Sequence, residues 1–311
     1  MLDMVPSEWR WRLLLARDAR TESARRRLAE RAKAGELVRV VRGAYLPQDD
    51  WTSLDAEERY GMRIRAICAT HPGIVLAHGA AAAAWGLPWI GPRASRFDVL
   101  TEGRAGSTSN IRRRIEPRGE VVTIDGMLVT GLARTVVDVA RDGDLSRAVA
   151  VADAALNPRT RAQLAVRTGA PDLESELARV PFRHGEVRAR HVVDFADGRS
   201  GSAGESASRV TIDRIGLPSA ILQQPFPRSA GGCWLVDFWW PEFGLIGEFD
   251  GRQKYLDPAF RDGRSADEVV YDEKRREDEL RRQCRAFVRW GWREARNPAS
   301  LAALLRSVGA H

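Results

Sequence analysis

The chain has little cysteine, few histidines and hardly any lysine. Cys68, Cys233 and Cys284 lie far apart with no ligand spacing, so they read as reduced cytosolic thiols filling a core. The five histidines form no zinc pattern. No stretch approaches the apolar length that spans a bilayer, which removes a membrane partner from the reading. The start, Met1 to Arg12, carries Asp3, Glu8 and two arginines, where a secretory leader would be apolar. The expectation is a cytoplasmic globular protein. With 311 residues, 44% hydrophobic and 29% charged, it is long enough for two or three domains.

Arginine is what the chain has in excess. It dominates the basic residues and leaves a net charge of +7. Its planar fork binds phosphate bidentately, so DNA is the first partner to consider. A GC-rich genome that spends Arg and Ala freely would give the same composition.

The first segment, 1–50, has a helix over Glu22 to Ala34, N-capped by Thr21 and closed by Gly35. Arg25, Arg26, Arg27, Arg31 and Lys33 cover all but its apolar stripe. A short hairpin follows, Leu37 to Val41 and Ala44 to Leu46, turning at Arg42-Gly43. An arginine-rich helix followed by a basic hairpin is the pattern of a winged helix, with Arg25, Arg26, Arg27, Arg31, Arg39 and Arg42 set to meet DNA. A solvated amphipathic helix packed on a hairpin is the plainer alternative.

The middle segment, 51–170, alternates helices and strands. Helices are expected at Asp55 to Thr70, His78 to Pro88, Thr130 to Arg141 and Leu145 to Leu156. Strands are expected at Ile74 to Leu76, Arg96 to Leu100, Val121 to Ile124 and Met127 to Val129. No catalytic constellation stands out. His78 reads as a helix cap or core hydrogen-bonder, and Arg134 with Asp138 as an intrahelical ion pair. A helical connector covers 171–197, with a Gly- and Ser-rich linker around Ala196 to Gly204.

The last segment, 198–311, reads helix, three strands, helix, strand, helix, which gives a small mixed sheet flanked by helices. Its centre is a hairpin in which Leu235 to Trp240 and Leu245 to Phe249 each carry an acid, Asp237 and Glu248. Acids in apolar strands are costly to bury unless paired, hydrogen-bonded or bound to a metal. Two on adjacent strands suit Mg²⁺, or Mn²⁺ in its place, with the Phe249 carbonyl and Glu205 completing the shell. Such a site serves phosphodiester hydrolysis and needs a nearby cation, for which Lys274 and Lys254 are available. The plainer readings are a capping role for Asp237, an ion pair between Glu248 and an arginine of the following helix, and a solvated face for Asp272 to Glu279.

Val236-Asp237-Phe238, Gly247-Glu248-Phe249-Asp250-Gly251 and Glu273 to Asp278 resemble the very-short-patch-repair-like branch of the PD-(D/E)xK nuclease superfamily. Gly35 to Tyr45, His78 to Pro88 and Ala133 to Asp138 resemble the AbiEi antitoxins of type IV toxin–antitoxin systems. Together these stretches resemble a set of actinobacterial proteins that join both parts. The resemblance implies a mixed α/β chain: an N-terminal winged helix, an α/β middle domain and a C-terminal restriction-endonuclease-like mixed sheet flanked by helices. It places Asp237 and Glu248 at the two metal-binding acids and Glu205 at the helix glutamate. Asp250 stands where the superfamily lysine is expected, and Lys254-Tyr255 offers no counterpart to the histidine of the repair enzymes. Two functions follow as expectations. One is a DNA-binding Mg²⁺-dependent endonuclease, a hydrolase. The other is an antitoxin-like repressor with a silent nuclease fold, whose partners are a promoter operator and a cognate toxin. A repair or defence accessory factor with unspecific DNA affinity fits the same residues, and the oligomeric state stays open.

Overall fold

The computed structural model describes residues 13–101, 106–164, 170–179, 184–251 and 266–310. They form a mixed α/β chain with three sheets, one antiparallel and two mixed. Lys254 and the Met1 to Arg12 segment lie outside the described residues. The chain divides into two compact units: Met1–Gly143 with Pro158–Asp194, and Asp144–Asn157 with Phe195–His311. The helix Leu145–Leu156, read from the sequence with the middle segment, belongs to the second unit.

The first unit begins with β1 (Leu14–Leu15), α1 (Glu22–Lys33), β2 (Leu37–Val41) and β3 (Ala44–Pro47). The Thr21 hydroxyl accepts from the Ala24 N–H at 3.2 Å, so the expected N-cap holds α1. Strands β1, β3 and β2 make an antiparallel sheet. Gly43 turns β2 into β3 at φ +88°, a left-handed conformation that glycine adopts without strain. A bulge between Arg39 and Val41 lets Val40 and Val41 both be buried, which a regular strand would forbid.

Next come α2 (Gln48–Ser53), α3 (Ala56–Thr70), β4 (Val75–Leu76), α4 (His78–Ala84), β5 (Phe97–Thr101), β6 (Ile111–Ile115), β7 (Val121–Ile124), β8 (Met127–Thr130) and α5 (Leu132–Asp142). Asp55 and Glu58 start α3 with a reciprocal capping box. The strands form one mixed sheet in the order β6-β5-β4-β8-β7. The alanines of α4 are buried, and the helix packs on α5, whose Val136, Val137 and Ala140 are fully enclosed. Strand β6, Ile-Arg-Arg-Arg-Ile, was not expected. Arg112 and Arg114 both reach the buried Asp98 of the parallel neighbour β5.

The second unit starts with α6 (Leu145–Leu156), which follows α5 in the chain. The helices α7 (Pro158–Gln163), α8 (Leu173–Arg179) and α9 (Glu186–Phe195) come next in sequence. After them the second unit resumes with α10 (Ala203–Arg214), β9 (Ile221–Pro227), β10 (Cys233–Trp240), β11 (Leu245–Phe249), α11 (Ala266–Arg281), β12 (Ala286–Trp290), α12 (Trp292–Ala295) and α13 (Pro298–Ser307). Its sheet runs β12-β11-β10-β9, with β12 parallel to β11 and the other pairs antiparallel. Phe226, Val236, Ile246, Leu280 and Phe287 form one core cluster, to which α11 contributes Leu280. Phe238 stacks with Trp240 and packs on Trp290, whose indole N–H donates to Ser208 of α10 at 2.8 Å. A side chain at Gly204 would overlap the Phe249 ring, so glycine is what lets the start of α10 approach β11 this closely.

Candidate functional site

That close approach brings Glu205 to the strands. Ser202 N-caps α10, and its hydroxyl donates to Glu205 Oε1 at 2.9 Å. The Gly201 N–H donates to Glu205 Oε2 at 2.7 Å. Glu205 is thus a buried acid fixed at a helix start, where the positive end of the dipole favours it.

Gln223 links Glu205 to Asp237. Its side-chain amide donates to Glu205 Oε2 at 3.2 Å and to Asp237 Oδ1 at 3.3 Å. The other Asp237 oxygen accepts from the Phe249 N–H at 2.9 Å. Gln223 sits at φ +51°, a left-handed conformation unusual for a non-glycine residue. The β9–β10 pairing skips Gln223 and Asp237, passing from Val236↔Gln224 to Phe238↔Leu222. The register is the same on both sides of the gap, so Gln223 stays opposite Asp237, and its amide reaches both acids. Gln223 was missed in the sequence because an amide in a strand carries no signal of its own.

Glu248 has other company. Arg276 of α11 grips both of its oxygens, and Arg289 of β12 donates to Oε2 at 3.1 and 3.0 Å. The ion pair with an arginine of the following helix, one of the readings open from the sequence, is present. Burial pulls the Arg276 guanidinium down, but the Glu248 hydrogen bond and the charges of Glu248, Glu273 and Asp237 hold it above its usual range. Lys274 is exposed on the same helix. Phe249 contributes its N–H, as above, and an edge-on ring contact to Trp292.

A divalent ion fits this donor set in part. Glu205 and Asp237 both accept from one amide, and exchanging the oxygen and nitrogen of Gln223 would present a third oxygen beside them. Glu248 spends its charge on two arginines. Beside them a pocket of about 360 Å³ is lined by Arg228, Trp234, Arg275 and Arg276 together with Asp272, Glu273 and Glu279. The Arg228 guanidinium lies 4.3 Å from the centre of the Trp234 ring.

In the first unit Arg25, Arg26, Arg27, Arg31, Arg39 and Arg42 are all exposed. Arg25 donates to the Ala16 carbonyl at 3.2 Å, Arg26 lies 3.8 Å from Glu22, and Arg31 pairs with Glu36 at 2.8 Å. Such surface pairs are weak and yield readily to a phosphate.

The first unit also holds a buried polar cluster. Among the described residues, His78, Glu116 and Asp138 place one ligand atom each within 4.8 Å of one another, close enough to hold a metal ion. Arg134 donates to Asp138 Oδ1 at 2.8 Å and to Glu116 Oε2 at 2.7 Å, so the ion pair expected on α5 is made and extended. Burial pushes the Asp138 carboxyl up, against the charge of Arg134 and its hydrogen bond.

No family model matches the chain, and no solved structure does. Two proteins of Mycobacterium tuberculosis, uncharacterized protein MT2308 of strain CDC 1551 and uncharacterized protein Rv2248 of strain H37Rv, are each 32% identical to it over 237 residues. The alignment covers 76% of this chain and 81% of each relative. At that identity and coverage, the chain belongs to the family of these mycobacterial proteins.

Proposed function

We propose that this is a DNA-binding protein whose second unit is a nuclease-like domain using Mg²⁺ at Glu205 and Asp237. The observation that carries the reading is the Gln223 amide held between those two acids by a strained backbone. Strain of this kind concentrates where a side chain must be aimed. A bound Mg²⁺ would supply an acidified water and charge stabilisation at a phosphoryl oxygen. Glu205 and Asp237 would hold it, and Gln223 would orient them. Arg276, anchored on Glu248, offers the fixed positive charge that the superfamily takes from a lysine. In the first unit, α1 and the β2–β3 hairpin serve as a winged helix, with Arg27, Arg39 and Arg42 toward the DNA backbone.

Purified protein incubated with plasmid DNA and Mg²⁺ or Mn²⁺ tests this. Cleavage should fall at least 100-fold in Asp237→Ala and Glu205→Gln, in line with loss of a group that stabilises transition-state charge. Equal cleavage by Asp237→Ala, or none by the wild type, defeats the enzyme reading.

One observation favours a second reading, an antitoxin-like repressor with a silent site. Glu248 is saturated by Arg276 and Arg289, and Asp250 stands in the lysine position. Binding to the upstream promoter that survives Asp237→Ala, but is lost when Arg26 and Arg27 become Ala, supports it. Absence of promoter binding at low salt counts against it.

A further inference from the structure

His78 is a poorly satisfied buried group among the described residues of the first unit. It is 3% exposed, and neither ring nitrogen has a hydrogen-bond partner among the described residues. Asp138 is fully buried, and its Oδ2 has no partner either. Buried polar atoms are nearly always paired, so orphans this close together need an explanation. His78 also starts α4 at φ +49°, a left-handed conformation for a non-glycine residue. Its ring Nε2 lies 3.9 Å from Glu116 Oε2, and its Nδ1 lies 3.5 Å from Asp142 Oδ2.

We propose that His78, Glu116 and Asp138 form a binding site for a divalent first-row transition-metal ion of the zinc class. The imidazole Nε2, a Glu116 oxygen and the unpaired Asp138 Oδ2 supply the ligands. Imidazole together with carboxylates selects such an ion over Mg²⁺ or Ca²⁺, which take oxygen. The surroundings have the form of an outer shell. Asp142 Oδ2 lies 3.5 Å from His78 Nδ1 without a hydrogen bond to it, and a small turn of the ring onto an ion would let it accept from the Nδ1–H and fix the metal-binding tautomer. Arg134 and Arg141 hold Glu116 and the other Asp138 oxygen, and Arg114 holds Asp142. Each engaged carboxylate oxygen keeps a second lone pair for an ion. Without an ion neither ring nitrogen of His78 nor Asp138 Oδ2 has a hydrogen bond; an ion would engage His78 Nε2 and Asp138 Oδ2 directly.

The site is independent of the Mg²⁺ acids of the second unit, and the test keeps the two apart. Tag-free full-length protein is stripped with EDTA, then dialysed against Zn²⁺ alone and Mn²⁺ alone, and bound metal is counted by mass spectrometry. The wild type should hold one zinc per chain. His78→Asn keeps a residue type that tolerates a positive φ, and it should weaken zinc binding by roughly 100-fold or more. Asp237→Asn should leave zinc binding unchanged. Zinc should raise the wild-type melting temperature and leave that of His78→Asn where it is. In EDTA the two proteins should melt alike. If His78→Asn fails to fold, Glu116→Gln takes its place, because Glu116 is partly exposed. Zinc binding that persists in both variants, or that disappears with Asp237→Asn, overturns the proposal. A wild type that binds no zinc does the same.

Discussion

The two units each collect acids and arginines, and they treat them differently. In the second unit every acid of the cluster is satisfied by protein donors: Glu205 by Gly201, Ser202 and Gln223, Asp237 by Gln223 and Phe249, Glu248 by Arg276 and Arg289. In the first unit Arg134 is saturated while His78 and one Asp138 oxygen beside it are left over. A satisfied cluster exchanges protein donors for a ligand when one binds. An enclosed cluster with orphan atoms is costly as it stands and gains most from a group that fills it. The residues most conspicuous in the sequence are therefore the better satisfied of the two sets.

Breaking the clusters at their arginines should expose this difference most strongly. Arg134 is 1% exposed, and Arg134→Ala leaves Glu116 and Asp138 without their main counter-charge. Its expected cost is about 3–5 kcal/mol, the range for removing one partner of a buried pair. Urea unfolding followed by circular dichroism measures it. A loss under about 1 kcal/mol would mean that the cluster relaxes as easily as a surface one.

The second unit's site depends on how closely α10 approaches β11. Gly204→Ala forces the Phe249 ring aside, with an expected loss of about 1–3 kcal/mol, typical of overpacking. The displaced helix start would carry Glu205 away from Gln223, so any Mg²⁺-dependent activity should fall as well. A variant with unchanged stability and activity would show that the approach is loose. Arg276→Ala follows at about 1–2 kcal/mol, because Arg289 still holds Glu248 and the site is partly open to water. Urea midpoints for Arg276→Ala and Arg134→Ala, measured side by side, give the comparison directly.

Much of this was legible in the sequence. The cap at Thr21, the helix starting at Asp55, the hairpin at Gly43 and the acid-bearing strands all announce themselves through local chemistry. Strand β6 was not, because its arginines are paired across a sheet to Asp98, a contact that sequence spacing cannot reveal. Gln223 was missed for a similar reason: its role comes from a skipped pairing and a positive φ. His78 read as a cap or a core hydrogen-bonder. Its lack of partners depends on where β6, α4 and α5 meet, which no local pattern encodes. Conversely, Asp237 and Glu248 look like one site in the sequence, yet they engage different partners, because α11 and β12 bring arginines to Glu248.

The smallest expected effect concerns acid. Burial pushes the Asp98 carboxyl of the first unit up, but the hydrogen bonds from Arg112 and Arg114 and the Arg114 charge outweigh this and hold it below its ordinary value. Asp98 therefore contributes stability that is present above its unfolded pKa of about 3.9, and lost as pH falls through the lowered folded value. Asp153 of the second unit goes the other way. Burial raises its carboxyl despite Arg209, the Asp197 N–H and Ser206. Its contribution is complete below about pH 3.9 and is lost as pH rises through the raised folded value. The difference in urea midpoint between wild type and Asp98→Asn should shrink as pH is lowered from 5 toward about 3. For Asp153→Asn, where the asparagine keeps the shape but not the charge, the loss relative to wild type should shrink as pH rises above about 4. Slopes of the same sign in the two variants would show that the units handle their buried acids alike, and would remove the contrast between them.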